Sequence, residues 1–197
     1  MSTRPSAAWV LAGVAVATLG GCTSVEPGQA AQATGAAPAP SSAVPRPAEL
    51  SLDGVDPCTL FTDAQLDALR VNSEPRGSAG RDGGPMCSLD VDVRAPYYSY
   101  YVEAVADADL QDWVAGERRN PSMRTEPAEV AGFPALLHYA RTSSPGDCEV
   151  LVGVATGQTL RTQMYPTDPS EFSRQRMCDM AVDAAAEAVT TLQAMRR

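Results

Sequence analysis

Residues 148–164 read CEVLVGVATGQTLRTQM, and this stretch decides the fold. From Cys148 to Val154, a cysteine and three valines recur at every second position, a period that is typical of a β-strand with one buried face. The Thr156-Gly157-Gln158 segment predicts a turn. A second strand then alternates in the same way, with three residues on one face: Leu160, Thr162 and Met164. We therefore predict an antiparallel hairpin over residues 148–164.

A long helix is predicted after this hairpin. Asp168-Pro169-Ser170-Glu171 supplies an N-cap, a proline at the first helical position and an acidic third residue, and the helix extends to about Gln193. One stripe of it carries small or apolar residues at helical spacing: Cys178, Ala181, Ala185, Ala188 and Leu192. Because alanine side chains are small, we expect this helix to lie close to the sheet.

The preceding residues alternate between helical and extended patterns. Thr62 and Gln65 have capping-box spacing and predict a helix to about Val71. Residues 73–85 (SEPRGSAGRDGGP) predict a plain surface loop, because they lack the GK[ST] ending of a phosphate-binding loop. The other predicted elements are strands over residues 86–94, 97–105 and 129–141 and a helix over residues 108–119. This order predicts an α+β fold, in which helices cover one face of an antiparallel sheet.

The cysteines beyond residue 50 number four, and an even number in an exported domain predicts two disulfides. Four cysteines allow three pairings. We favour Cys58–Cys87 and Cys148–Cys178, because each closes a local loop of about 30 residues. A zinc site is disfavoured, because the chain has no CxxC pair and its single histidine is distant in sequence from every cysteine.

The N-terminus predicts export and lipidation. The apolar run from Ala7 to Leu19 is shorter than the roughly 20 residues that a membrane-spanning helix needs, and it is typical of a signal peptide over residues 1–21. Leu19-Gly20-Gly21-Cys22 resembles a lipobox, so we predict a diacylglycerol, palmitate-type anchor on Cys22; an ordinary secretory leader with a chance cysteine is the alternative. Residues 22–49, rich in Ala, Pro and Gly, predict a disordered tether before a domain over residues 50–197.

The composition and the predicted anchor limit the partners. The formal net charge is −9, and an acidic protein repels phosphate backbones, which disfavours nucleic acid. The lipid on Cys22 would hold the domain at the extracytoplasmic face of the cell membrane. The expected partners are therefore the membrane, through the anchor, and an envelope protein or cell-wall component.

No catalytic set is evident in the sequence. His138 is the only histidine and lies on a predicted strand, where a structural role is more common. Asp90 and Asp92 would project from one face of the strand over residues 86–94, where paired carboxylates can serve a glycosidase, although a solvated strand face explains both. The chain also lacks a GxSxG elbow. We predict no catalytic residue, no metal and no cofactor.

The predicted strand over residues 97–105 is rich in tyrosine. A tyrosine offers an apolar ring and a polar tip, so Tyr98, Tyr100 and Tyr101 are candidate contacts for a small ligand. Tyr98 and Tyr100 would share one face, with Tyr101 on the other. Tyrosine is also an ordinary strand former, which accounts for the same residues without a ligand.

Several of these features together resemble a known family. They are the Asp56-Pro57-Cys58 opening with Leu60, the Met86-Cys87 strand, Val130 and Gly132 before a strand, Cys148 in the valine strand, and Cys178 in the alanine-rich helix. From about Leu50 to Met195 the chain resembles DUF3558, an actinobacterial lipoprotein family of unknown function. The resemblance implies a cell-envelope location and, more weakly, a fold like that of the Mog1/PsbP group. It implies no activity.

Three hypotheses for function follow. The first is a non-catalytic, membrane-anchored envelope lipoprotein that binds a protein or cell-wall partner. The second is a carrier of a small ligand or lipid with a tyrosine-lined pocket. The third, an envelope hydrolase that uses Asp90, Asp92 or His138, has the least support in the sequence.

Overall fold

A computed structural model describes residues 45–196 of the 197-residue chain. The predicted signal peptide, Cys22 and the tether up to residue 44 lie outside the described residues. The strands are β1 (Arg76–Ala79), β2 (Pro85–Val91), β3 (Tyr98–Val105), β4 (Met123–Val130), β5 (Phe133–Ala140), β6 (Cys148–Ala155) and β7 (Gln158–Pro166). The helices are α1 (Asp63–Ala68), α2 (Leu110–Val114) and α3 (Arg174–Met195), with 3-10 turns at Pro57–Leu60 and Pro169–Glu171.

The seven strands of the described region form one antiparallel sheet, in the order β1-β2-β3-β7-β6-β5-β4. The predicted hairpin over residues 148–164 is β6–β7, in the middle of this sheet. Gly157 lies in its turn with φ +69°, a conformation that costs glycine little. The predicted α+β class with an antiparallel sheet is confirmed.

The main core lies between α3 and one face of the sheet. α3 packs against β6 and β7, and the predicted stripe from Cys178 to Leu192 is buried. Four alanines of the helix are fully buried: Ala181, Ala184, Ala185 and Ala188. Alternate strand residues such as Val150 and Leu160 meet them from the sheet. Because the helix presents methyl groups here, it can approach the sheet closely.

A larger side chain in this stripe is expected to be destabilising. Ala185→Leu inserts three carbon atoms into a filled space and should lower the free energy of unfolding by about 1–3 kcal/mol. Ala194→Leu, at an exposed position near the end of the same helix, is the matched control and should change it by less than about 0.5 kcal/mol. Urea denaturation of both variants measures the difference. Equal stability of the two variants would contradict the close packing.

The opposite face of the sheet has a second, smaller apolar cluster under α2. Trp113 and Leu110 from this helix contact Leu136 of β5 and Leu151 of β6. These strand positions alternate with those that face α3, so both faces of the sheet centre are covered. All eight residues of β6 are buried as a result. The sequence prediction did not include this second cluster.

The glycine-rich segment differs from its prediction as a plain surface loop. Residues 76–79 form β1, which pairs with β2 in a register that places Arg76 opposite Ser88 and Ala79 opposite Pro85. The loop prediction is therefore wrong for these four residues. The hairpin closes through a hydrogen bond from the Gly80 N–H to the Gly84 carbonyl.

The strand predicted over residues 86–94 ends earlier, at Val91. The Asp92 N–H donates to Asn72 Oδ1 at 3.0 Å, so this residue bonds to the preceding loop instead of to a strand. Val93, which would continue the buried alternation of Cys87, Leu89 and Val91, is 74% exposed. Asp90 therefore lies on β2 and Asp92 lies beyond its end, so the regular strand that would place both carboxylates on one face does not include Asp92.

The boundaries of three further predicted elements are corrected. The single interrupted strand predicted over residues 129–141 is two strands, β4 and β5, joined by a two-residue turn in which Ala131 and Gly132 have φ +49° and +84°. Positive φ at both positions matches the twist of a hairpin.

Near the C-terminus, Asp168 caps a 3-10 turn, and α3 begins only after its own N-cap, Ser173. α2 is also shorter than predicted, because it ends at Val114.

The cysteines pair as the sequence favoured, Cys58 with Cys87 and Cys148 with Cys178, and the two Cα atoms of each pair are 5.0 Å apart. The first disulfide joins the 3-10 turn before α1 to β2. The second joins β6 to the first turns of α3. The disulfides thus fix helical segments to the face of the sheet that holds the main core.

The last residues assigned to the tether contact the folded domain. Arg46 Nη1 donates to the Ala155 carbonyl at 3.3 Å, and the Thr156 N–H donates to Glu49 Oε2 at 2.6 Å. Leu50 then donates its N–H to the Val154 carbonyl. The chain therefore enters the domain along the β6–β7 turn.

Candidate functional site

The candidate tyrosines divide between the two faces of the sheet. Tyr98 and Tyr100 lie on the α3 side with rings at 5.5 Å in an edge-to-face arrangement, and both are buried. They line a cleft of about 280 Å³ between α3 and the end of α1. Burial and the neighbouring Tyr98 hold the pKa of the Tyr100 phenol well above its usual range. Tyr101 points to the other face, near Tyr165, so the three tyrosines do not form one site.

The most unusual feature of the described region is a row of buried ionisable side chains on the α2 side of the sheet. It consists of Glu103 on β3, Arg161 on β7, Glu149 on β6 and His138 on β5. These four strands are consecutive in the sheet, and the four residues are between 0% and 4% exposed. We call them the charge row. Buried charges of this kind persist only when they are paired and hydrogen-bonded.

Direct contacts connect the charge row from end to end. Arg161 donates from Nη1 to Glu103 Oε2 at 2.8 Å and from Nη2 to Glu149 Oε1 at 2.7 Å. The other oxygen of Glu149 lies 2.9 Å from His138 Nδ1. The register explains these contacts, since Glu103 is directly opposite Arg161 and His138 is directly opposite Glu149.

The environment of Glu149 favours its charged form. Burial alone raises the pKa of the carboxyl, but hydrogen bonds with His138 and Arg161 outweigh burial and hold the pKa well below its usual range. A carboxyl whose pKa is lowered on folding stabilises the folded state above its ordinary pKa of 4.5. This contribution is lost as the pH falls below that value towards the lowered pKa.

The loop between β1 and β2 closes over the charge row. The Asp82 N–H donates to Glu103 Oε1 at 2.8 Å, and Arg81 Nη2 donates to Glu149 Oε1 at 2.8 Å. Gly80 and Gly84 permit this approach, because a Cβ at Gly80 would collide with the Glu103 side chain and one at Gly84 with the Ala104 carbonyl. The glycines of this segment therefore have a structural purpose that the sequence alone did not indicate.

A cleft of about 450 Å³ lies beside this loop. Its lining includes Arg81, Asp82, Trp113, Arg118, Met123 and His138. We call it the network cleft. Arg118 forms part of its wall: the guanidinium lies 5.2 Å from the centre of the Trp113 ring and pairs with Asp82 and with Asp107. The cleft is thus lined by His138 of the charge row and by residues in and after α2.

Two residues that line the network cleft each have a buried polar atom with no hydrogen-bond partner among residues 45–196: His138 Nε2 and Asp82 Oδ2. His138 is 4% exposed, and its Nδ1 is already occupied by Glu149. Buried polar groups normally have a partner, since leaving one unpaired costs about 1–3 kcal/mol. The network cleft is therefore the candidate functional site.

The described residues do not pair His138 with a nucleophilic side chain. His138 and Glu149 form a histidine–carboxylate pair, but no hydroxyl or thiol within the described residues bonds to His138 Nε2. The four cysteines of the described region are in disulfides. Asp90 is elsewhere on the sheet, paired with Arg76. Nor does any group of three or more His, Cys, Asp or Glu side chains in this part of the chain have a geometry that could hold a metal ion.

Sequence reasoning identified one residue of this site, His138, and assigned it a structural role. The sequence analysis did not identify the other three members of the charge row, because charged residues that alternate with apolar ones are normally solvent-exposed. It also did not identify Arg81 and Asp82, because they lie in a glycine-rich segment. A usable signal was present in Val150 and Leu151, two adjacent apolar residues whose side chains point to opposite faces of one strand. These indicated that the second face of the sheet was also covered.

Comparisons with known proteins give a family but no function. The family model described as "Protein of unknown function (DUF3558)" matches residues 17–191. No curated protein and no solved structure matches the chain. Within residues 45–196, no helix combines the length and the apolar character that crossing a membrane requires.

Proposed function

Since this chain belongs to the DUF3558 family, whose function is unknown, we propose from its own residues that it is a non-catalytic binding protein of the cell envelope. In this proposal a lipid on Cys22 anchors it to the extracytoplasmic face of the membrane. The folded domain then binds an envelope protein or a cell-wall component through the network cleft. The proposal retains the first of the three hypotheses drawn from the sequence.

The observation that carries the proposal is the network cleft with its unpartnered His138 Nε2. A binding site needs converging polar groups in a concave surface of about 300–1,000 Å³, and the cleft falls within this range. A hydrolase would also need a nucleophile or an activated water, and no side chain of the described region bonds to His138 Nε2. Binding is therefore the role that these groups support best.

The extracytoplasmic location is supported by two independent features. Two disulfides are typical of an oxidising compartment. The Leu19-Gly20-Gly21-Cys22 sequence, outside the described residues, has the pattern of a lipoprotein cleavage site. A diacylglycerol supplies the two acyl chains that stable anchoring requires.

Lipidation is tested by metabolic labelling. We expect the full chain, expressed in a bacterium with a lipoprotein-processing pathway, to incorporate an alkyne-tagged fatty acid, and Cys22→Ala to lose the label completely. Ser24→Ala, two residues away, is the matched control and should keep it. Label that persists in Cys22→Ala would contradict the anchor.

Binding is tested in the same cells by photo-crosslinking. A photoreactive amino acid at Asn120, an exposed residue of the network cleft, should give a discrete adduct with an envelope component. The same amino acid at Asp179, exposed on α3, is the control and should give none. Identical patterns at the two positions, or no adduct at either, would contradict binding through this cleft.

A carrier role for the tyrosine-lined cleft is the second candidate. Tyr98 and Tyr100 line this cleft together with Met180 and Arg176, which combines apolar and charged surface. Its volume of about 280 Å³ is smaller than that of the network cleft. Native mass spectrometry of the purified chain would favour this role if it revealed a bound small molecule that Tyr100→Ala removed.

A further inference from the structure

We infer that the network cleft binds a saccharide, a neutral ligand dense in hydroxyl groups. This inference deepens the proposed binding function and rests on it. Three observations support it: the charges that line the cleft are balanced, two polar atoms have no hydrogen-bond partner, and the surrounding side chains are held in place by their own contacts.

The charge at the cleft is balanced. Two guanidiniums, those of Arg81 and Arg118, line it together with two carboxylates, those of Asp82 and Glu117. An anionic ligand would be attracted by the two guanidiniums and repelled by the two carboxylates. A cationic ligand would be attracted by the carboxylates and repelled by the guanidiniums. The cleft therefore favours a ligand without net charge.

The unpartnered atoms define the hydrogen bonds that the ligand must supply. A carboxylate oxygen such as Asp82 Oδ2 only accepts, so the ligand must donate to it. Arg81 also lines the cleft, and although it already donates one N–H to Glu149, its guanidinium can only donate, so a ligand that contacts it must accept. His138 Nε2 is a further polar atom of a residue that lines the cleft. Hydroxyl groups donate and accept at once, and a saccharide carries several on one compact ring.

The surrounding side chains are held in place before any ligand arrives. Glu149 fixes the His138 ring through Nδ1 at 2.9 Å, and Arg161 holds Glu149 in turn. Arg118 is held by Trp113 and by carboxylates on both sides. Such preorganisation reduces the entropy that binding would otherwise lose. Met123 adds apolar surface at which the C–H groups of a sugar ring can pack.

His138 is a direct probe of this site, because it is the only histidine in the chain. With ¹⁵N-histidine labelling, the full chain in detergent micelles gives a single imidazole in a long-range ¹H–¹⁵N spectrum. We propose titrating it with a panel of disaccharides: neutral hexose, N-acetylated and uronic-acid types. A neutral or N-acetylated member should shift Nε2 in a saturable manner and leave Nδ1, bonded to Glu149, nearly unchanged.

Two matched variants localise the effect. Asp82 and Asp107 both pair with Arg118, but only Asp82 lines the cleft. We expect Asp82→Asn to weaken saccharide binding at least tenfold and Asp107→Asn, at a 74% exposed side chain, to change it less than twofold. Equal losses in both variants would assign the effect to Arg118 positioning and overturn the assignment of Asp82 as a ligand contact.

The outcomes also separate this inference from the proposed function. If no sugar shifts His138 while the Asn120 crosslink yields an envelope component, the saccharide assignment falls and the binding function stands. A shift of His138 by the uronic-acid sugars alone would overturn the neutral class. If neither a shift nor a crosslink is found, both proposals fall together.

Discussion

Replacing Arg161 with methionine is expected to lower the free energy of unfolding by about 3–5 kcal/mol, the largest single-residue effect that we predict. Arg161 is 2% exposed and lies between two buried carboxylates, Glu103 and Glu149. Methionine has a similar length but no charge, so both carboxylates would lose their main buried partner. The loss arises mainly from these uncompensated charges.

Urea denaturation of the full chain measures this effect, with Arg124→Met as the matched control. Arg124 pairs with Glu126 at 2.7 Å, but its side chain is 57% exposed, so its loss should cost less than about 1 kcal/mol. The triple variant Arg161→Met, Glu103→Gln, Glu149→Gln should recover part of the stability, because it removes the stranded charges. A cost below 1 kcal/mol for Arg161→Met alone would contradict the view that the charge row is tightly coupled.

The second large effect is expected from the Cys148–Cys178 disulfide. Replacing both cysteines with alanine should lower the free energy of unfolding by about 3.5 kcal/mol, because the unfolded chain regains the entropy of an open loop of 30 residues. Both side chains are buried, at 0% and 4% exposure, so the loss of two sulfur atoms adds to the cost. The expected change is therefore at or above this value.

The other disulfide supplies the comparison. Cys58–Cys87 spans 29 residues, so removal of either bridge should release nearly the same loop entropy. Cys58 is only partly buried. The double alanine variant of Cys58 and Cys87 should therefore lose less free energy of unfolding than the double alanine variant of Cys148 and Cys178. Denaturation of both variants without reductant gives the difference. If the Cys58–Cys87 variant were the less stable, native packing around Cys148 would not contribute as described.

The sequence predicted the main core because its periodicity is local. Two local patterns each indicate a buried face from residues that are close in sequence. They are the alternation from Cys148 to Val154 and the alanine stripe of α3. Both correspond to observed elements, and the disulfides join segments that are close in sequence. The α+β class and the central hairpin followed from these patterns.

The candidate site could not be predicted from the sequence, because its contacts join residues that are distant in sequence. Arg161 lies 58 positions from Glu103, and Arg81 lies 68 positions from Glu149. Each residue alone has the pattern of a solvated strand face or a surface loop. Their burial depends on α2 and on the β1–β2 loop lying over the same part of the sheet, and a single sequence does not contain that information.

The strand order divides the domain into two meanders that meet along one seam. β1, β2 and β3 are sequential neighbours, as are β4, β5, β6 and β7, and only the β3–β7 pairing joins the two sets in the sheet. Neither disulfide crosses this seam, since one lies on each side of it. A chain cut between Gly116 and Asn120 would consequently give two fragments, each with its own disulfide. Backbone pairing at the seam and the Glu103–Arg161 contact would then be among the noncovalent bonds that hold the halves together.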